Sequence, residues 1–251
     1  MNSELRNAGG KTAREVREMF AQTAPRYDLL NRILSFGMDG SWRNAAAAEA
    51  ADTSEGALLV DVCAGSGDLA FALLRRAPTA VVLACDFCRP MLSLGLTKKG
   101  RRKVKNIAFV ASDAVALPVL SEAADLVSYA FGLRNICADK TGGRLSVLHE
   151  AARILRPGGK ILVLEFSPPR AGLLAPVLRF WLRHVVPRAA RILAPAAASA
   201  YAYLAHSIQA YLEPHSFAAE LASVGFQNVR WREFCFGLVV LVVAQKPLIR
   251  K

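Results

Sequence analysis

The 251 residues are enough to bury a large core, and one elaborated domain is expected rather than two small ones. With 53% hydrophobic residues the chain is not a disordered protein, yet its longest charge-free apolar run near the C-terminus, residues 237–244, falls far short of the roughly 18 to 20 residues of a bilayer span. A formal charge of +12 draws it toward polyanions, either nucleic acid or an anionic lipid surface, without choosing between them.

Residues 1–11 are polar and contain Glu4 where an export signal needs an apolar stretch, so a cytoplasmic location is expected. Residues 13–51 read as an N-terminal helical cover, with Asp28 or Asn31 as caps and a break at Gly37. From residue 57 short apolar runs alternate with amphipathic stretches. Strands are expected at 57–62, 81–85, 107–110, 124–130 and 160–166, with helices starting at Asp68 and Pro90 and a long one ending near Leu155. The turn Arg156-Pro157-Gly158-Gly159 precedes the last of these strands. Strands joined by helical crossovers imply an α/β, doubly wound, mostly parallel sheet with helices on both faces.

After Pro168 the alternation stops, leaving a basic helical lid insertion over 168–212. A C-terminal helix and hairpin follow over 213–246, with strands at 228–234 and 238–244. Two strands joined so tightly must be antiparallel, so a seven-stranded sheet should end in an edge hairpin. All of this is one domain over 1–251, with 57–167 as its ligand-binding core.

In an open parallel sheet, ligands bind beyond the carboxyl ends of the strands at the switch point. Strand one ends in Asp61 and runs into Cys63-Ala64-Gly65-Ser66-Gly67-Asp68, where Gly65 and Gly67 let the backbone pass close to a ligand. Strand two ends in Asp86, about 20 residues after the turn, where a carboxylate can accept from ribose hydroxyls. Asp113 follows strand three, suitably placed to accept from an adenine amino group. The site is nucleoside-shaped. Residues 65–70 also match the dinucleotide fingerprint ending in Ala, which keeps a nicotinamide dehydrogenase as an alternative. Against it stand Asp113, the terminal hairpin and the lack of a Tyr-x-x-x-Lys pair.

Several segments together resemble the ubiquinone/menaquinone biosynthesis C-methyltransferases, class I S-adenosylmethionine-dependent enzymes. They are VREMFAQTAPRYDLLNRILSFGMDGSWR (16–43), DVCAGSGDLA (61–70), FGLRN (131–135), RILRPGGKILVLEFSPP (153–169) and YAYLAHSI (201–208). The resemblance runs from about residue 16 to 246. It implies methyl transfer from S-adenosyl-L-methionine to a ring carbon of a polyprenylated quinol, either naphthoquinol or benzoquinol, with Ser66, Asp86, Asp113 and Ala114 at the family's cofactor positions. It further implies that Tyr27, Asp68 and Arg134 surround the quinol. The chain departs from the family pattern at Cys63, Ala130 and Val242, which bears on substrate preference.

A ring carbon becomes nucleophilic when the neighbouring hydroxyl loses its proton. Asp68, directly or through water, is the expected acceptor, with Arg134 stabilising the phenolate and Tyr27 orienting the hydroxyl. Plainer roles compete: a helix cap for Asp68, a structural ion pair for Arg134, packing for Tyr27. Five cysteines, Cys63, Cys85, Cys88, Cys137 and Cys235, sit in apolar surroundings as expected of reduced thiols. Cys85-x-x-Cys88 reads as two apolar thiols flanking Asp86, and no metal site is expected.

The basic run Lys98–Lys105 reads as a solvated helix end and loop. In the insertion Leu174, Val177, Leu178, Trp181, Leu182, Val185 and Val186 fall on one helical face, with Arg179 and Arg183 on another. A lid packed on the core is the plain expectation, and contact with anionic lipid at the inner membrane face the sharper one. A same-fold methyltransferase acting on RNA or another small substrate remains an alternative. Nucleic acid is not the expected partner, because no aromatic-rich binding motif flanks the basic runs. A non-catalytic quinone-enzyme scaffold is disfavoured by the intact Asp86, Asp113 and FGLRN. The oligomeric state is left open.

Overall fold

The structure, a computed structural model, describes residues 11–136, 143–168, 175–185, 188, 203 and 213–248. Three helices open the chain: α1 (Ala13–Thr23), α2 (Tyr27–Leu34) and α3 (Met38–Ala47). A capping box starts α1: Thr12 Oγ1 accepts from the Glu15 N–H at 3.2 Å, and Glu15 Oε2 accepts from the Thr12 N–H at 2.8 Å. Gly37, in the left-handed region at φ 76°, lets the chain turn from α2 into α3.

The alternating core then runs β1 (Leu58–Val62), α4 (Asp68–Arg76), β2 (Val81–Asp86), α5 (Arg89–Arg102), β3 (Ile107–Ala111), β4 (Ala124–Ala130), α6 (Arg144–Ile154) and β5 (Leu155–Phe166). After it come α7 (Ala175–Phe180) with a π-helical turn Trp181–Val185, then α8 (Pro214–Ser223), β6 (Gln227–Phe234) and β7 (Val239–Gln245). The sheet has seven strands in the order β3-β2-β1-β4-β5-β7-β6. β1 to β5 pair in parallel, whereas β7 runs antiparallel to both β5 and β6. The expected doubly wound sheet with a terminal hairpin is present.

Residues 156–159, expected as a turn before the fifth strand, instead lie within β5; the Gly158 backbone reaches the C-terminal segment, its N–H donating to the Lys246 carbonyl at 2.9 Å. Strand alternation splits the core into two layers. Leu59, Leu126 and Leu162 face the α3–α4 side with Trp42 and Leu73, while Val60, Val127 and Ile161 face α6 and α8 with Leu148, Phe217 and Leu221. Most of the expected insertion lies outside the described residues, including Leu174, Val186 and Arg170. Within it Leu178 and Trp181 pack against the first layer.

The β1–β4 register sets Asp61 opposite Ser128 in the centre of the sheet, and the Ser128 hydroxyl donates to Asp61 Oδ1 at 2.7 Å. Asp61 Oδ2 is buried with no hydrogen-bond partner among the described residues. Burial pushes the Asp61 carboxyl up to about 7, against the pull of the Ser128 hydrogen bond. Folding thus raises this pKa above the ordinary 3.8, so the stability gained by holding the proton is complete below 3.8 and lost as pH rises through about 7. Asp61→Asn should flatten the decline in unfolding free energy between those limits. Urea titrations at a series of pH values check this; a variant whose stability falls as steeply as the parent's contradicts it.

Candidate active site

The loop after β1 and the turn after β4 leave the sheet side by side, at the point where the strand order reverses. Gly67 sits at φ 81° just before α4, and a Cβ there would come within 2.7 Å of the Phe109 ring. The neighbouring Phe131-Gly132 turn passes so close that a Cβ on Gly132 would lie 2.3 Å from Cys63 Cβ. A 3-10 turn, Leu133–Asn135, then turns Arg134 back toward the end of β5.

Asp86 closes β2 and is buried. Its Oδ2 accepts from the Gly65 N–H and its Oδ1 from the Cys88 N–H, at 2.8 and 2.7 Å, and the Phe87 backbone also contributes a hydrogen bond. Burial pushes this carboxyl up while the three backbone donors pull it down. A carboxylate offers about four acceptor sites, so capacity remains for a ligand hydroxyl. Asp86 and Gly65 line a narrow cleft with Phe20, Tyr27, Met91 and Phe131. Cys85 and Cys88 are buried free thiols on either side of Asp86. Asp113 lies exposed beyond β3, where it accepts from the Val115 N–H at 3.2 Å, with Ala114 beside it. These residues fit an adenosine: a carboxylate for hydroxyls, a glycine-lined backbone and a second carboxylate one strand farther out. Asp61, expected among them, is buried in the sheet and bonded to Ser128, away from the cleft wall.

Next to the cleft is a cavity of about 350 Å³, within the range of small-molecule sites. Its wall is mostly apolar, with Met19, Leu34, Trp42, Phe166, Leu178 and Trp181 among its residues. Phe20, Tyr27 and Phe131 line both spaces and form the boundary between them.

Of the three residues expected around a reacting ring, Tyr27 and Arg134 line this cavity and Asp68 does not. Arg134 is 6% exposed and forms a 2.7 Å ion pair with Glu165, itself 4% exposed, while also donating to the Phe131 carbonyl. Breaking so buried a pair by removing one member leaves an uncompensated charge. The surroundings of Tyr27 push its phenol up; Arg43 and Arg134 pull the other way through their charge and Asn31 through a hydrogen bond.

Asp68 begins α4, and the N-cap position is held by Gly67 without a side-chain bond. Its carboxylate instead accepts from Lys98 Nζ at 2.7 Å. Lys98 also pairs with Asp28 at 2.6 Å and donates to Ser66 Oγ at 2.8 Å, and Ser66 in turn donates to Asp28 at 2.7 Å. Asp28 therefore does not cap a helix: α2 starts after Arg26 with no side-chain cap, and Asp28 ties the helical cover to the loop after β1. Lys98 is likewise drawn inward, unlike the solvated helix end expected for the basic run around it. Asp39 and Arg43 also line the cavity and were not singled out from the sequence, although their spacing of four on α3 marks them as a helical ion pair.

The chain is also similar to known proteins. The demethylmenaquinone methyltransferase of Deinococcus radiodurans is 43% identical over 231 residues, covering 92% of each chain. That of Thermus thermophilus is 40% identical over 91% of this chain and all of its own. A ubiquinone/menaquinone biosynthesis C-methyltransferase of Syntrophotalea carbinolica is 37% identical, covering 94% and 95%. Among solved structures, an S-adenosylmethionine-dependent methyltransferase from Aquifex aeolicus superposes with a TM-score of 0.55 at 16% identity, over 78% of this chain and 86% of its own. Haemonchus contortus phosphoethanolamine N-methyltransferase 2, solved with S-adenosyl-L-methionine, gives 0.57 at 13%, over 81% and 52%; both likenesses are of fold. The protein is thus a methyltransferase, which displaces the dehydrogenase alternative. Residues 8–246 match the model of the ubiE/COQ5 methyltransferase family, and the chain belongs to that family.

Proposed function

We propose that the protein methylates a ring carbon of a polyprenylated quinol, with the cleft at Asp86 holding S-adenosyl-L-methionine and the apolar cavity holding the ring. The observation that carries the reading is the shared boundary of Phe20, Tyr27 and Phe131, which sets the narrow cleft at Asp86 against a cavity suited to an oily aromatic ring. When bound, the cofactor supplies a methyl group already activated on a positively charged sulfur.

The chain's own residues bind and align. Asp86 accepts from a ribose hydroxyl, Asp113 with Ala114 receives the adenine edge, and Gly65, Ser66 and Gly67 form the backbone bed beneath. On the ring side Arg134 places positive charge beside the oxygen that becomes a phenolate, and Tyr27 orients it at the boundary. Asp68 takes a supporting part: its carboxylate is held by Lys98 and fixes the loop to which the cover is tied.

The prenyl tail needs a route from lipid. Leu29 and Ile33 on α2 and Phe36 just beyond it form an apolar stripe 60%, 42% and 71% exposed, flanked by exposed Arg26 and Arg32. Phe36 lines the cavity and packs on Trp181 with ring centroids 5.2 Å apart. We read this stripe as the edge that rests on anionic membrane while the tail enters.

Purified protein given demethylmenaquinol and methyl-labelled S-adenosylmethionine under reducing conditions should return a quinol heavier by the labelled methyl. No transfer, with labelled methyl appearing on RNA instead, overturns the reading. Calorimetry should show Asp86→Ala weakening S-adenosylmethionine binding by ~10-fold or more, since it removes charge-assisted bonds to the ribose; unchanged affinity contradicts the assignment. In flotation, wild type should rise with phosphatidylglycerol vesicles more than with phosphatidylcholine vesicles. The double variant Leu29→Ser, Phe36→Ser should lose most of that binding, and retention at the parent level removes the membrane edge.

A further inference from the structure

A cavity whose wall is mostly apolar is a costly place for charged groups, and those that line it call for a reason. Arg43 is a clear case. Its side chain is 10% exposed and pairs with Asp39, 13% exposed, one turn earlier on α3. A guanidinium has five N–H donors, and among the described residues Asp39 is the only hydrogen-bond partner of this one. The Arg43 guanidinium also lies over the Phe131 ring, 5.5 Å from its centroid, on the boundary shared with the Asp86 cleft. Asp39 is the only carboxylate among the described residues lining the cavity. Ser35 Oγ, 3.2 Å from Asp39 Oδ1, steadies it.

Resting on the quinol reading above, we propose that Asp39 and Arg43 are the acid–base and oxyanion-binding pair of the reaction: Asp39 takes the hydroxyl proton of the ring and Arg43 binds the oxygen it leaves. The proton passes from the quinol O–H to the Asp39 carboxylate, and the O–H electron pair stays on oxygen, from which it reaches the ring carbon. Arg43 and Arg134 hold that charge from the cavity wall. Once the ring carbon carries its methyl, its own proton leaves to water, the ring regains aromaticity and Asp39 returns its proton to the oxygen. The net release is one proton, as the cofactor's positive charge requires. At Tyr27 desolvation pushes the phenol up while the charges of Arg43 and Arg134 pull it down, and a ring oxygen set nearer the two guanidiniums would feel that pull more strongly.

Arg43 and Arg134 differ in how they are used. Arg134 is locked between Glu165 and the Phe131 carbonyl. Arg43 keeps donors for a ligand and a counterion that can accept a proton. The other ionisable side chains lining the cavity, among the described residues, are Tyr27, Tyr203 and Cys235, with Glu165 behind Arg134. None of them brings a carboxylate itself to the cavity wall.

The test uses 2-prenyl-1-naphthol, which carries one hydroxyl, bound to the full chain with S-adenosylhomocysteine. The absorbance of its naphtholate reports ionisation. Bound to wild type, the probe should ionise about one pH unit or more below its value in water. Arg43→Gln should return it toward the free value and Arg43→Lys should fall between. Asp39→Asn, which removes Arg43's counterion, should leave the depression intact or deeper while cutting turnover of the quinol by ~10²-fold or more. Unchanged ionisation in both Arg43 variants, or Asp39→Asn turnover within a few-fold of wild type, overturns the proposal. If wild type itself binds neither the naphthol nor the quinol, it is the quinol reading that fails. Loss of fold in one variant leaves the other two to decide.

Discussion

The arrangement depends on the close approach of Gly132 to Cys63. There is no room for a side chain between the turn that follows β4 and the loop that follows β1. This contact holds two neighbouring strand ends in fixed relation. One supplies the glycine bed and the backbone N–H that meets Asp86; the other supplies Phe131 and Arg134. Parallel pairing of β1 with β4 sets the approach, and the strand-order reversal at that point opens the cleft. The cleft at Asp86 and the apolar cavity can then share one wall without either distorting the sheet.

The second consequence is electrostatic. The cavity wall is apolar, but two guanidiniums stand on it, each with its own carboxylate: Arg134 with Glu165 and Arg43 with Asp39. Paired in this way they remain charged at tolerable desolvation cost, yet their field still reaches into the cavity. The two guanidiniums pull against the desolvation that raises a phenol at this wall, Tyr27 among them, and so act in the direction that methylation at carbon requires. The network of Asp28, Ser66, Lys98 and Asp68 does separate work. It fastens the helical cover to the loop after β1, so the roof of the cavity and the floor of the cleft are joined by charge as well as by packing.

Much of this was legible in the sequence, for physical reasons. Short apolar runs alternating with amphipathic stretches report a parallel sheet directly, and residues at strand ends such as Asp86 fall where the topology needs them. FGLRN drew attention to Arg134 through family resemblance. Asp28 looks like a cap because an Asp near a helix start usually caps, and only the packing of the cover on the core turns it toward Ser66 and Lys98. Lys98 was hidden in a run of basic residues that is solvated elsewhere. Asp39 and Arg43 look like an ordinary surface ion pair at a spacing of four, and nothing local shows that α3 turns that face toward a cavity. What the sequence hid depends on how separate elements meet.

The central claim is that the methyl donor and the ring meet across the boundary of Tyr27 and Phe131. A crystal structure of the protein with S-adenosylhomocysteine and 2-prenyl-1-naphthol tests it most directly. The account predicts the sulfur in the Asp86 cleft facing a ring carbon across that boundary, with the naphthol oxygen between Arg43 and Arg134. A naphthol bound outside the cavity, or a cofactor whose sulfur points away from it, would contradict the account.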